Sequence, residues 1–156
     1  MIIGIAAVDR KGAIGKGGKL PWHYSEDMKF FRETTTGNAV VMGRKTWLTI
    51  GKPLKNRLNI VLSRDSSIEP QESLLVFSDI ESVVSFSNSL ATALFVIGGA
   101  QIYEAFLPHI EKWIITEVPL TVQGADAFMP KGYLDGFRVV DSKTLEDDLT
   151  VKIYQK

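Results

Sequence analysis

The chain has 156 residues, the size of one ordinary domain (~100–150 residues) and too short for two. Hydrophobic residues make up 45% and charged residues 23%, which excludes global disorder and a fibrous repeat. Lys plus Arg (18) balance Asp plus Glu (18), so the basic excess of many nucleic-acid binders is missing. The absence of Cys excludes disulfides, thiolate nucleophiles and thiolate-held metals.

The two histidines, His23 and His109, lie far apart and no carboxylate cluster is evident, so no metal is expected. The opening apolar stretch is too short for a signal segment, and no run approaches the ~20 residues of a membrane span. A reducing cytoplasm without membrane attachment is the simplest expectation.

In chain order, the apolar run Ile2–Val8 reads as a strand. Gly12 to Lys19 (GAIGKGGK) is similar to a phosphate-binding loop but lacks the Gly-Lys-Ser/Thr that opens a helix there. It reads as a surface loop able to act as a lid. Ser25 suits an N-cap and Glu26 and Asp27 suit a first turn, so a helix is expected over Glu26–Thr35. Strands follow at Ala39–Met42, Leu58–Leu62, Leu74–Phe77, Leu94–Ile97 and Trp113–Val118, with helical patterns at Arg44–Ile50, Ile80–Phe86 and Gln101–Phe106. Continuous apolar strands alternating with helices point to an α/β fold with a largely parallel sheet covered on both faces. Phe137–Val140 and Thr150–Tyr154 read as two late strands forming a hairpin, hence an antiparallel edge.

Ligands of open α/β sheets bind beyond the carboxyl ends of the strands. Gly43-Arg44-Lys45-Thr46, Ser63-Arg64 and Gly98-Gly99-Ala100-Gln101 stand at three such ends. Each offers a glycine, a hydroxyl or a cation, and two open a helix. Convergence of the three would suit a cofactor with a diphosphate and a further phosphate. Singly each piece has a plainer reading, a tight turn or a solvated charge. Asp27 shares a helix face with Phe31, with Phe30 one position away. Inward aromatic rings would draw the carboxylate into apolar surroundings and raise its pKa. Such an acid can pair with the N–H fork of a planar heterocycle.

Together these motifs resemble dihydrofolate reductase. The blocks LPW, MGRKTW, PL-x-x-R-x-N and VIGGA-x-IY occur in the family's order and spacing across nearly the whole chain. The resemblance implies a single domain, residues 1–156, with a mostly parallel, eight-stranded twisted sheet, an antiparallel C-terminal strand and flanking helices. It implies reduction of 7,8-dihydrofolate to tetrahydrofolate with NADPH, a supply to one-carbon metabolism, an antifolate target, and a monomer.

By the same resemblance Asp27 grips the pterin, Thr116 supports that contact, and Trp22 lies beside the ring and helps hold a water. Ile5, Ala6, Met28, Phe31, Ile50, Leu54 and Ile97 fall on the substrate pocket. Arg57 lands on the residue that holds the α-carboxylate of the glutamate tail, with Arg32 and Lys52 nearby. Ala7, Ile14, Gly15, Lys19 and Leu20 map to the nicotinamide side and its lid, which Asp126 supports. Gly43, Arg44, Lys45, Thr46, Leu62, Ser63 and Arg64 map to the cofactor phosphates, with Arg44 and Arg64 toward the 2′-phosphate. Gly98, Gly99, Ala100, Gln101, Ile102 and Tyr103 map to the diphosphate turn and the nicotinamide.

Four positions depart from the common pattern: Gln101 in place of Arg, Leu20 in place of Met, Phe30 in place of Trp, and one additional residue in Gly124-Ala125-Asp126. Two other functions share parts of this signature. A pyrimidine reductase of riboflavin synthesis would keep the fold and change the substrate. A non-catalytic nucleotide-binding domain would need the strand ends and no buried acid.

Overall fold

A computed structural model describes residues 1–156 except Lys19 and Ser66. Its frame is an eight-stranded sheet. In chain order the elements are β1 (Ile2–Val8), β2 (Ala13–Gly15), α1 (Ser25–Thr35), β3 (Ala39–Gly43), α2 (Arg44–Ile50), β4 (Leu58–Leu62), β5 (Leu74–Phe77), α3 (Ile80–Ser87), β6 (Leu94–Val96), α4 (Ala100–Phe106), β7 (Lys112–Glu117), β8 (Ala127–Phe128), β9 (Arg138–Thr144) and β10 (Thr150–Gln155). The large sheet runs β5-β4-β3-β6-β1-β7-β10-β9. Every pairing from β5 to β7 is parallel, and β10 pairs antiparallel with both β7 and β9.

The central strands are apolar at successive positions because both faces are covered. Side chains alternate between the faces. Ile3 and Ile5 of β1 and Val40 and Met42 of β3 join one core cluster, on which Phe30 and Phe31 of α1 and Trp47 and Ile50 of α2 pack. Ile2 and Val8, with Ala39 and Val41, join the other, with Val83 of α3 and Tyr103 and Phe106 of α4. So α1 and α2 lie on one face of the sheet and α3 and α4 on the other.

Several elements end one residue from where the sequence suggests, and three differences bear on the fold. Ser25 is not the N-cap: Tyr24 holds that place in extended backbone with no side-chain cap, and Ser25 is the first helical residue. The Tyr24 carbonyl already accepts the Met28 N–H at 3.1 Å, which starts the helix one residue early. The glycine-rich segment is not loop throughout: Ala13–Gly15 pairs as β2 with β8 in a separate two-stranded ribbon. The edge strand β9 runs on to Thr144, past the apolar residues that announce it, and every residue in it is exposed.

Packing is tightest where β1 crosses Trp113 of β7. The Trp113 side chain is wholly buried, stands edge-on to Tyr133 with ring centroids 5.1 Å apart, and leans on Tyr103. A Cβ at Gly4, its register partner, would overlap the Trp113 ring. Gly4→Ala is therefore expected to cost about 1–3 kcal/mol through overpacking, read in thermal unfolding as a fall of roughly 2–4 °C per kcal/mol. An unchanged Tm would show that the ring has room to move.

Candidate active site

The site takes its shape from where parallel strands end. β4, β3 and β6 are sheet neighbours running the same way, so their carboxyl ends lie side by side. β3 delivers Arg44, Lys45 and Thr46, β4 delivers Ser63 and Arg64, and β6 delivers Ile97 and the Gly98-Gly99 turn. The Gly43 N–H donates to the Gly98 carbonyl at 2.9 Å, which locks the β3 end to the turn. Gly98 has φ +114, and a Cβ there would press on the Tyr103 ring at 3.2 Å; only glycine lets α4 sit this close. Tyr103 is buried, and its hydroxyl donates to the Ile5 carbonyl at 2.7 Å, tying the turn to β1. Gln101 and Arg64 stand exposed. Lys19 lies outside the described residues.

The donor set at this edge fits a polyanion. Arg44, Lys45 and Arg64 are exposed cations, and among the described residues neither Lys45 nor Arg64 has an ion-pair partner. Thr46 and Ser63 add half-buried hydroxyls. Arg44 does have a partner, which the sequence reading missed: its Nε lies 2.9 Å from Asp65 Oδ2.

On the face that carries α1, Asp27 projects from the first helical turn toward β7. The Thr116 side chain, itself buried, lies near enough to favour the charged carboxylate. Burial outweighs Thr116 and raises the Asp27 pKa above 3.8. No cation among the described residues pairs with it, so nothing reverses the desolvation. Trp22 presents a buried Nε1–H with no hydrogen-bond partner among the described residues, a donor that a water or ligand could satisfy.

Ile5 is buried, while Phe31, Ile50, Leu54 and Ile97 pack on the same core face. Ala6 and Ala7 are half-buried at the end of β1. Met28 is 53% exposed, and Arg32 and Lys52 are exposed too. Arg57 is the opposite: it is buried, and among the described residues its partners are neutral acceptors, the Lys55 carbonyl at 2.8 Å and the Thr35 hydroxyl at 3.1 Å. Burial and the nearby Arg32 charge both push its pKa down. A buried guanidinium without a carboxylate is a ready anion site.

Comparison with known proteins agrees with this layout. The family profile described as "Dihydrofolate reductase" matches residues 1–155. The chain is 34% identical to a dihydrofolate reductase of Staphylococcus haemolyticus over 92% of its length and 86% of that protein's. It is 37% identical to the type A13 dihydrofolate reductase of Escherichia coli, over 94% of this chain and 87% of that one. A solved dihydrofolate reductase from Enterococcus faecalis, complexed with NADP(H) and RAB-propyl, superimposes with a TM-score of 0.90 at 29% identity, covering 99% of this chain and 95% of that one. The chain belongs to the dihydrofolate reductase family.

The glycine-rich segment after β1 is fastened at two places. Asp9 is buried, and its carboxylate accepts the N–H groups of Lys11 (2.8 Å), Ala13 (2.8 Å) and Val122 (2.9 Å). It thus joins β1, the start of the segment and the loop after β7. Further along, Asp126 Oδ2 accepts the Gly17 N–H at 3.0 Å, and the Asp126 N–H donates to the Gly15 carbonyl at 3.1 Å. The additional residue at Gly124-Ala125 therefore leaves the loop in contact with the segment. Leu20 is 58% exposed. Phe30, for its part, lies under the Lys143 ammonium, 5.6 Å from the ring centroid.

The backbone donors hold the Asp9 pKa below 3.8, although burial alone would raise it. A carboxyl group with a depressed folded pKa stabilises fully above the unfolded value and loses that contribution as pH falls through the folded one. Asp9→Asn should therefore unfold at a lower temperature than wild type, with a constant gap above about pH 5 that closes as the solution is acidified further. Parallel melting curves down to low pH would argue against the ionic tether.

Proposed function

We propose that the chain reduces 7,8-dihydrofolate to tetrahydrofolate with NADPH, by hydride transfer to pterin C6 and protonation at N5, and so feeds one-carbon metabolism. Family membership and the Asp27–Thr116 pair carry this reading. A monomer working in a reducing cytoplasm completes it.

Asp27 accepts hydrogen bonds from the N3 and 2-amino edge of the pterin, replacing the water its carboxylate lost on burial. Thr116 fixes the carboxylate and lends its hydroxyl to the same edge. A fixed acceptor in an apolar wall is worth more than one in water, because nothing must reorganise when charge shifts onto the ring. Ile5, Phe31, Ile50 and Leu54 supply that wall. Arg57 meets the α-carboxylate of the glutamate tail, an anion that answers its lack of a charged partner. A pyrimidine of riboflavin synthesis has no such carboxylate, so this guanidinium favours the folate.

NADPH, when bound, supplies the hydride. The chain supplies its seat: Arg44 and Arg64 face the 2′-phosphate, Lys45, Thr46 and Ser63 meet the remaining phosphates, and the Gly98-Gly99 turn lets the dinucleotide pass close to the backbone. Ala7 and Ile14 flank the nicotinamide, holding the two flat rings at near-attack distance. The lid, tethered by Asp9 and Asp126, keeps bulk water from the transfer. The N5 proton arrives on a water, for which the unpaired Trp22 Nε1–H is a nearby anchor. Asp27, gripping the far edge of the ring, stabilises the form that accepts it. The sum is one hydride and one proton added across C6 and N5.

Two variants test the assignment. Asp27→Asn should lower the rate of NADPH oxidation near neutral pH by roughly a hundredfold to ten-thousandfold. It should recover in part in acid, where the substrate enters already protonated. A ratio to wild type that stays flat across pH would reject the proton role. Arg57→Met should raise KM for dihydrofolate by about two orders of magnitude, the usual cost of removing a buried charge partner, with little change in kcat. An unchanged KM would place the glutamate tail elsewhere.

A further inference from the structure

Asp65, three residues past the end of β4, is an acid whose sign opposes a phosphate ligand. Its position follows from sheet register. Gly43 of β3 pairs with Leu62 of β4, so the residues that follow each strand leave the sheet as neighbours. Asp65 is then held at three polar atoms. Its N–H donates to Ser63 Oγ at 3.0 Å, Oδ1 accepts the Ser67 N–H at 2.8 Å, and Oδ2 lies 2.9 Å from Arg44 Nε. Donation from the Ser67 backbone, ahead of the Arg44 contact, keeps its pKa below 3.8, so the side chain is charged throughout the working range.

NADPH and NADH differ only in the 2′-phosphate. Dinucleotide sites distinguish them by charge: an acidic side chain suits a free ribose hydroxyl, and an arginine suits the phosphate. Here both occur in contact. Of the two guanidiniums placed at the 2′-phosphate, Arg44 arrives already paired, and an incoming dianion meets a fixed carboxylate beside it. Gln101, neutral and exposed at the β6 end, adds no compensating charge.

We propose that Asp65 is a specificity-determining residue that weakens the preference for NADPH over NADH by restraining Arg44 and repelling the 2′-phosphate. The inference rests on the reading of Arg44 as a 2′-phosphate ligand, and the test separates the two. Asp65→Asn removes the charge while keeping an oxygen for the Ser67 N–H, so the turn is preserved. Dihydrofolate reduction is measured with NADPH and with NADH for wild type, Asp65→Asn and Arg44→Ala, at low and high ionic strength.

Asp65→Asn should raise the NADPH-to-NADH ratio of kcat/KM by about tenfold, the scale of one unit-charge repulsion across a few ångströms of partly wet surface. The gain should appear in KM for NADPH and shrink as salt screens the charge; a purely structural effect of the turn would not follow ionic strength. An unchanged or lower ratio overturns the proposal, a lower one assigning Asp65 to orient Arg44 toward the phosphate. If Arg44→Ala raises KM for NADPH while Asp65→Asn leaves the ratio in place, the role of Asp65 alone fails. If Arg44→Ala leaves KM for NADPH unmoved, the phosphate site itself is misplaced and the proposal falls with it.

Discussion

The site depends on a half-buried carboxylate that has lost part of its water without receiving a cation. Thr116 favours the charged form of Asp27 and only partly offsets the cost of burial. Left alone, such a group is a debit to stability: the charged form is penalised in the folded protein and not in the unfolded one. A ligand edge carrying two N–H donors removes that penalty. Binding free energy is thus held in reserve as strain on one ionisable group. The same desolvation that raises the pKa makes the group sensitive to charge developing on the ring. Arg57 follows the same logic with the sign reversed, a buried cation held by a carbonyl and a hydroxyl until a carboxylate arrives.

The parallel sheet is what lets these unsatisfied groups sit together. Because β4, β3, β6, β1 and β7 run in one direction, their carboxyl ends form one rim. Backbone that leaves the rim is free to carry glycine, hydroxyl and charge without disturbing the core. α1 brings Asp27 to the rim from one face, and α4 brings Tyr103 from the other. The Tyr103–Ile5 hydrogen bond stitches the two sides together across β1. The glycine-rich segment is a lesser piece of structure, a three-residue strand paired to a two-residue one, tied down by the carboxylates of Asp9 and Asp126. Weakly paired segments of this kind open at low free energy, which is what a cover over a binding groove requires.

Much of the frame was legible because buried parallel strands leave a plain signature. β1, β4 and β5 begin and end where their apolar runs do, since both faces of each are covered. β9 was only half visible: its seven residues are all exposed, so burial exerted no selection on its later positions and only pairing with β10 extends it. The β2–β8 ribbon left no pattern, being too short for a period and held by partners distant in sequence. Ser25 misled because a good capping side chain can occupy the first helical position when the preceding carbonyl already starts the hydrogen-bond ladder. In the site, the spacing of Asp27 to Phe30 and Phe31 was enough to forecast an apolar setting, whereas Thr116 as its partner came from family resemblance alone. Asp65 was invisible, because an ion pair between two loops at adjacent strand ends has no spacing rule; only register brings it to Arg44.

The central claim is that Asp27 is shielded, paired with no cation among the described residues, and held toward its charged form by Thr116. The most direct test is a titration of the Asp27 carboxyl carbon, followed by 13C NMR in the ligand-free protein and assigned by its loss in a variant at that position. The account predicts a midpoint above 3.8 that moves higher still in Thr116→Val, where the opposing hydrogen bond is gone. A midpoint at or below 3.8, or one indifferent to Thr116, would mean that the carboxylate is solvated or charge-paired, and the chemistry assigned to it would have no physical basis.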